Sequence, residues 1–220
     1  MHPRTAAQLS DAQARRKHPR IDFRTEEGRR HAMQSAPYLA PLVRPGIRAL
    51  DLGCSFGKSA LVMCELGAQV TGLDVSLGAL GFARSVARSL DAALEVVAGD
   101  YTHLPFADRS FELAVFPHNV VECSPEEFPQ VVSETRRVLV AGGVFALSMN
   151  TTWAGKRESA ERGTVTVPGE GEFAYPTYAW SVDAVREAVS ARFTLRHSVP
   201  MTTRRDSVWM VFDKGQRPHQ

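Results

Sequence analysis

Cysteine is scarce in this sequence. Cys54, Cys64 and Cys123 are the only three in 220 residues, and no two form a Cys-x-x-Cys pair. That excludes a disulfide framework and a thiolate zinc site, and it predicts reduced thiols in a cytoplasmic protein. Long apolar runs are missing too. None approaches the roughly 18 residues of a membrane span, so no span is expected. The first residues carry Arg and His and lack the apolar stretch of roughly 7–15 residues that marks a secretory signal. A strong charge of one sign is also absent. Lys and Arg number 26 against 24 Asp and Glu, a net +2. So weak a field predicts no nucleic-acid partner. No internal repeat or low-complexity tract is present. What remains is ordinary: 44% hydrophobic and 23% charged residues, in a length suited to one large domain.

The little excess charge there is lies at one end. Residues 1–30 hold eight Arg and Lys (Arg4, Arg15, Arg16, Lys17, Arg20, Arg24, Arg29, Arg30) against four acids, Asp11, Asp22, Glu26 and Glu27. Two readings fit this +4 leader: a solvated arm, or a cap over an anionic substrate.

Beyond it, apolar strands alternate with helical periodicity. Strands are expected at 47–52, 68–74, 94–100, 111–117 and 144–150. Helices are expected at 58–67, from Ser76 to about Leu90, from Ser124 to about Val140, and from Ser181 to about Ala191. Gly67 reads as a C-terminal cap, and Ser76 as an N-cap. Ser124-Pro125-Glu126-Glu127 supplies an N-cap followed by Pro and first-turn acids. "FTLRHSV" and "SVWMVFD" close the chain as two strands with no helix between them, hence an antiparallel pair. The alternation predicts an α/β, Rossmann-like doubly wound sheet, mostly parallel with an antiparallel terminal strand. Ligands of such sheets bind outside the carboxyl ends of the strands, where the strand order reverses. The loop 53–57, Asp74, Asp100 and the segment 117–119 should therefore meet at one crevice. The domain boundaries expected are a basic arm and cap helix over 1–44, then a single domain over 45–220 with an insertion at about 151–180.

The loop itself, "LDLGCSFGKS" over 50–59, is a Gly-rich turn between a strand and a helix. A phosphate-gripping Gly-x-x-x-x-Gly-Lys-Ser needs glycine five residues before Gly57. That position is Leu52; the glycine present, Gly53, stands one residue too close, and strand four ends without an acid for magnesium. A dinucleotide fingerprint Gly-x-Gly-x-x-Gly finds Ser55 and Lys58 in place of its second and third glycines. Asp74, about 20 residues on, suits ribose hydroxyls but does not specify the rest of the ligand.

A third reading accommodates all the pieces. "ALDLGCSFGKSA", "VTGLDVS" and "VVAGDYTHLPFADRSFELAVF", followed by "ETRRVLVAGGVFALS", resemble the class I S-adenosylmethionine-dependent methyltransferases. The branch they resemble is the small-molecule one that includes the ubiquinone/menaquinone methyltransferases. The resemblance covers about residues 45–150. It rests on the Leu-Pro-Phe and Arg-Val-Leu-x-x-Gly-Gly runs more than on the glycine loop. It implies a seven-stranded sheet, S-adenosylmethionine as cofactor with S-adenosylhomocysteine as product, and no metal. By resemblance, Asp51, Gly53, Cys54, Ser55 and Gly57 surround the methionine half, with N–H groups at 55–58 facing its carboxylate. Asp74 and Val75 lie at the ribose, Asp100 and Tyr101 at the adenine, and Pro117, His118 and Asn119 beside the transferring group. Where Ser55 stands, family members usually have glycine. Glu112 replaces a usual Asp and reads as structural. Lys58 reads as a solvated helix residue, and Cys54 as a loop filler with nothing beside it to lower its pKa.

Other roles stay open. Asp51, Asp74 and Asp100 could be ordinary strand-end or loop acids. His118 is either a general base for an O–H or N–H acceptor or a side chain lining the cofactor. Glu122 reads as part of the following turn, and His31 as a weaker candidate. Trp153, Phe173, Tyr175, Tyr178 and Trp180 could wall a flat acceptor or pack the insertion onto the sheet. Tyr38 and the turn 201–205, including Arg204, could also reach the acceptor, which Arg24 and Arg29 would suit if acidic. The expected function is methyl transfer to oxygen or nitrogen of a small molecule by a monomer or homodimer. Methylation of protein or RNA, and cofactor binding without transfer, are the alternatives.

Overall fold

The computed structural model describes residues 22–151, 161–167, 171–178, 180–204 and 206–215. In chain order the elements are α1 (Glu26–Ala32), a 3-10 turn (Met33–Ser35), α2 (Ala36–Leu39), β1 (Arg48–Leu52), α3 (Lys58–Glu65), β2 (Gln69–Asp74), α4 (Leu77–Ser89) and β3 (Leu94–Ala98). Then follow β4 (Phe111–Pro117), a 3-10 turn (Val120–Glu122), α5 (Phe128–Val138), β5 (Leu139–Asn150), β6 (Glu161–Val167), β7 (Gly171–Thr177), α6 (Val182–Ser190), β8 (Thr194–Pro200) and β9 (Ser207–Asp213).

Seven strands form one sheet in the order β3-β2-β1-β4-β5-β9-β8, and β6 and β7 form a separate two-stranded ribbon. Strands β1 to β5 pair in parallel, while β9 runs antiparallel to both β5 and β8. The expected Rossmann-like sheet is therefore present. Its order reverses between β1 and β4, and doubly wound sheets bind ligands over the carboxyl ends of the strands at such a point.

Alternation along the strands separates two cores. Leu50, Leu52, Ala114, Phe116, Phe145 and Leu147 face one side with α5 and α6. Ala49, Val70, Leu113, Val115, Ala146, Trp209 and Val211 face the other with α1, α2 and α3. The period of two then puts Asp51 (two after Ala49) and Ser148 (two after Ala146) on this second face.

Several boundaries moved. The helix after Ser124 begins at Phe128, but the expected cap forms. Ser124 N–H donates to Glu127 Oε2 at 2.9 Å, and Glu127 N–H donates to Ser124 Oγ at 3.2 Å. That helix stops at Val138 rather than near Val140, because β5 starts at Leu139 and runs through Gly142-Gly143 with a register shift opposite Phe111 and Leu113. β3 ends at Ala98, which leaves Asp100 in a turn. The insertion contains the β6–β7 ribbon, a hairpin the sequence reading did not foresee. Trp153, Arg205 and residues 1–21 lie outside the described residues, and of Phe173 and Tyr175 only the backbone, on β7, is described.

The Leu-Pro-Phe and Arg-Val-Leu runs turn out to hold each other. Arg137 donates to Leu104 O at 2.9 Å, Phe106 O at 2.7 Å and Asp108 Oδ1 at 3.0 Å. It also pairs with both oxygens of Glu134 at 2.8 Å, and Leu104 N–H donates to the same carboxylate at 2.9 Å. One guanidinium thus pins the 104–108 loop to α5, and Glu134 holds it at full charge. Arg137→Met keeps most of the stem's packing and removes the donor from two carbonyls and two carboxylates. It is expected to lower stability by about 2–4 kcal/mol, read by urea unfolding. Glu112 has a similar structural role, accepting from Arg48 N–H at 2.8 Å and pairing with its guanidinium at 2.7 Å across β1 and β4.

Candidate cofactor and acceptor crevice

The loop after β1 is built from left-handed backbone. Gly53, Ser55 and Gly57 have φ of +64°, +49° and +78°. That is the physical reason glycine suits position 55, and a serine there carries conformational strain. Its N–H donates to Asp74 Oδ2 at 2.8 Å, which holds the residue in place. Cys54 N–H bonds Leu73 O at 3.0 Å, and Gly57 N–H bonds Cys54 O at 2.8 Å. Among the described residues, the N–H groups of Phe56 and Lys58 make no hydrogen bond. So the four amides expected to face one ligand carboxylate divide. Two are taken up in forming the loop, and two are open at the start of α3.

Cys54 packs its thiol against β2: a Cβ on Gly72 would stand 2.7 Å from its sulfur. Burial pushes this thiol well up, and Asp51 and Asp74 add to the effect, so it is not a nucleophile. Asn119 braces the loop from the far side. Its side-chain amide donates to Leu52 O at 2.8 Å and Gly53 O at 3.2 Å.

Asp51 is 1% exposed, and neither carboxylate oxygen has a hydrogen-bond partner among the described residues. Burial pushes its pKa up to about 8; the Ala60 amide, which makes no hydrogen bond to it, opposes this, and Asp74 adds repulsion. A buried acid without a donor is expensive, and such groups mark sites built for a partner. Asp74 is better satisfied, taking Ser55 N–H on one oxygen and Ser76 N–H at 2.9 Å on the other. Val75 follows at the strand end, and Ser76 caps α4 by accepting from Ala79 N–H at 3.0 Å. Asp100 turns the next loop: its Oδ1 accepts from both the N–H and the hydroxyl of Thr102 at 2.8 Å. Tyr101 sets its ring edge-on to Phe116 at 5.3 Å, and burial drives its hydroxyl far from ionisation.

Past β4 and Pro117, His118 also takes the left-handed region, at φ +61°, with its N–H on Ser148 O at 2.8 Å. Burial, then Arg204 and Lys58, lower its pKa to about 4. Glu122, on the short turn that follows, is pushed up to about 7, by burial and then by Asp74. Lys58 is half-buried rather than solvated, and its pKa falls through burial and then the nearby Arg204.

The expected acceptor residues separate. Tyr38 bridges α2 to the β8–β9 turn, accepting from Thr202 N–H at 2.6 Å, with its ring 5.9 Å from Trp209. Arg204 lies on the same turn. Trp180 belongs to the core: it is 9% exposed, its indole N–H donates to Cys123 O at 2.9 Å, and its ring lies 5.1 Å from Phe128. Tyr178 is half-buried against the same core and anchors the insertion through Val121 O at 2.8 Å. His31 lies in the last turn of α1. The sequence reading missed Ser148 and Trp209. Both are buried on the Asp51 face, and Ser148 Oγ and Trp209 Nε1 lack partners among the described residues. A polar residue at an inward position near the carboxyl end of β5 was the available signal. Among the described residues, no group of His, Cys, Asp and Glu could hold a metal ion, and no helix is long and apolar enough to cross a membrane.

Comparison with known proteins agrees with this geometry. A family model described as a methyltransferase domain matches residues 49–143. A sterol 24-C-methyltransferase of Gibberella zeae is 37% identical over 108 residues, which are 48% of this chain and 28% of that protein. An uncharacterised methyltransferase of Synechocystis sp. is 35% identical over 106 residues, 48% of each chain. The chain thus spans about half or less of the length of these curated relatives. Among solved structures, the PH0226 protein of Pyrococcus horikoshii OT3 superposes with a TM-score of 0.74 at 24% identity, over 90% of this chain and 97% of that one. The geranyl diphosphate C-methyltransferase of Streptomyces coelicolor A3(2), solved with S-adenosylhomocysteine, gives 0.67 at 14% identity, over 86% and 78%. With the domain match lying over β1 to β5 and the crevice at their carboxyl ends, the chain carries a class I S-adenosylmethionine-dependent methyltransferase domain.

Proposed function

We propose that this protein transfers the methyl group of S-adenosylmethionine to an oxygen or nitrogen of a small-molecule acceptor. The observation that carries the reading is Asp51, a buried carboxyl that accepts no hydrogen bond among the described residues, at the sheet's reversal point. The α-ammonium of the cofactor would supply what it lacks. The remaining groups fit the remaining parts. The open amides of Phe56 and Lys58 suit the cofactor's carboxylate. The carboxylate of Asp74 at the end of β2 suits the ribose, and Asp100 with Tyr101 the adenine.

Bound there, the cofactor brings a methyl already activated by its sulfonium, so an acceptor lone pair held in line at about 3–3.5 Å suffices for displacement. The chain's task is then to orient the acceptor, exclude water and receive a proton. His118 stands at the end of β4 to receive it. It stays unprotonated down to about pH 4, so its free lone pair is available throughout the neutral range. Polar groups around this space, Ser148, Trp209, Lys58 and Arg204, favour oxygen or nitrogen over the carbon acceptors named for some relatives.

Calorimetry with S-adenosylmethionine and S-adenosylhomocysteine tests the reading. Binding of both is expected, and no heat from either at millimolar concentration would refute it. Asp74→Ala should weaken S-adenosylhomocysteine by about tenfold or more, since the variant loses both the ribose acceptor and the anchor of Ser55. With an acceptor turning over, His118→Ala should lower kcat by about a hundredfold. Rates within about twofold of wild type would remove it from the proton-accepting role.

A further inference from the structure

Among the described residues, two cations stand together without an ion-paired acid. Lys58 opens α3, and Arg204 lies on the β8–β9 turn, which Tyr38 ties down through Thr202. Each is close enough to His118 to act on its ring, and Arg204 acts on Lys58 as well. Among the described residues, neither forms an ion pair, although Arg24, Arg29, Arg48, Arg137, Arg186 and Arg196 all do. Lys58 is half-buried and Arg204 exposed, and like charges held together without neutralisation oppose folding and are tolerated where a ligand compensates them. Among the described residues, Ser148 Oγ and Trp209 Nε1 are two further donors with no partner, in residues 1% and 3% exposed. Ser148 adjoins Pro117 on β4 and Trp209 on β9 in the sheet register, and its carbonyl holds His118.

The position of this group relative to the cofactor reading decides what it would bind. Asp74 and Asp100 lie on the β2–β3 side of the reversal point; Ser148 and Trp209 lie on the β5–β9 side. With ribose and adenine on the first side, the transferring methyl faces the second. We infer that the acceptor carries an oxyanion, a carboxylate or a phosphate, held by Lys58 and Arg204 with Ser148 and Trp209 as neutral donors. The inference rests on the cofactor reading, since it needs the methionine half at Asp51. Anchoring the anion here brings the acceptor's reacting atom toward His118. Neutralising the two cations would also raise that ring's basicity when the acceptor is bound.

The experiment is calorimetry on wild-type protein saturated with S-adenosylhomocysteine, titrated with benzoate, inorganic phosphate and, as a neutral control, benzamide. Benzoate or phosphate should bind and benzamide should not; which anion binds tells carboxylate from phosphate. Lys58→Gln and Arg204→Gln should each weaken that anion by about tenfold, and S-adenosylhomocysteine affinity should stay within about twofold of wild type in Arg204→Gln, whose residue lies outside the cofactor site. Melting curves of both variants verify folding. Three results overturn the inference: no anion binding to the loaded wild type, benzamide binding as well as benzoate, or parallel losses of anion and S-adenosylhomocysteine affinity in Arg204→Gln. The last would place Arg204 on the cofactor's own carboxylate. S-adenosylhomocysteine failing to bind wild type would instead sink the cofactor reading, and this inference with it.

Discussion

Gly53→Ala is expected to weaken S-adenosylhomocysteine binding by about tenfold to a hundredfold and to lower stability by about 2–4 kcal/mol. Two effects add at this position. The backbone is left-handed, at φ +64°, where a Cβ costs about 1 kcal/mol or more. The new methyl would also stand 2.4 Å from Asn119 Nδ2 and 2.9 Å from its Cγ. The flexible end of Asn119 cannot simply swing away, because its amide holds Leu52 O and Gly53 O. Moving it leaves two loop carbonyls without their donor, at about 1 kcal/mol each. Gly46→Ala is the control: φ is +81°, but nothing lies within 4 Å of the added carbon. It should show the backbone cost alone, with unchanged ligand affinity. Thermal unfolding and calorimetry of the two variants separate the terms. Equal ligand affinity in both would show that Asn119 does not govern the loop.

Asp51→Asn should do something less usual: stabilise the ligand-free protein at alkaline pH while damaging cofactor binding. The carboxyl of Asp51 has its pKa raised from 3.8 to about 8, chiefly by burial. The native state therefore holds a proton that the unfolded chain releases near pH 4, and the unfolded state binds fewer protons between those values. Stability from this group is fully present below about pH 4 and is lost as pH rises toward 8. When the group ionises fully, the loss is on the order of several kcal/mol. Asparagine cannot ionise, so the variant should melt above wild type at pH 8.5, and the gap should close on acidification to pH 5. The comparison isolates Asp51, because Glu122 and His118 titrate in both proteins. S-adenosylhomocysteine should bind the variant about tenfold or more weakly, having lost the counter-ion to its ammonium. In wild type at pH 7, binding should release close to one proton, seen as a dependence of the heat on the buffer's ionisation enthalpy. A wild-type melting temperature that tracks the variant from pH 5 to 8.5 would show that Asp51 is neither buried nor orphaned as described.

These two residues show what a sequence can and cannot tell. The strand–turn–helix around "LDLGCSFGKS" follows from neighbours: an apolar run, three positions needing special φ, and a helix beginning at Lys58. The same holds for the capping serines 76, 124 and 181, whose partners lie three residues on. Such contacts are local, so they can be read from spacing. The ends of β3 and β5 were misplaced because pairing across the sheet sets them. Leu139 became a strand residue by lying beside Phe111, against the helical pattern that precedes it. Trp180 and the other aromatics near the insertion were candidate acceptor walls for the same reason. An aromatic near a site and one packed beneath it look alike in sequence, and only the indole bond to Cys123 O distinguishes them.

The sequence by itself therefore determined the α/β alternation, a loop whose glycine spacing departs from the phosphate-gripping pattern, and the acids Asp51 and Asp74 near strand ends with Asp100 in the turn after the third. Tertiary structure decided their states. Asp51 is perturbed because packing on all sides removes its water, whereas Asp74, 23 residues on, finds two amides and stays satisfied. Lys58 reads as an ordinary helix residue until the turn bearing Arg204, 146 residues later, is brought beside it. Burial and charge proximity depend on chain segments that meet only after folding, so no spacing rule contains them.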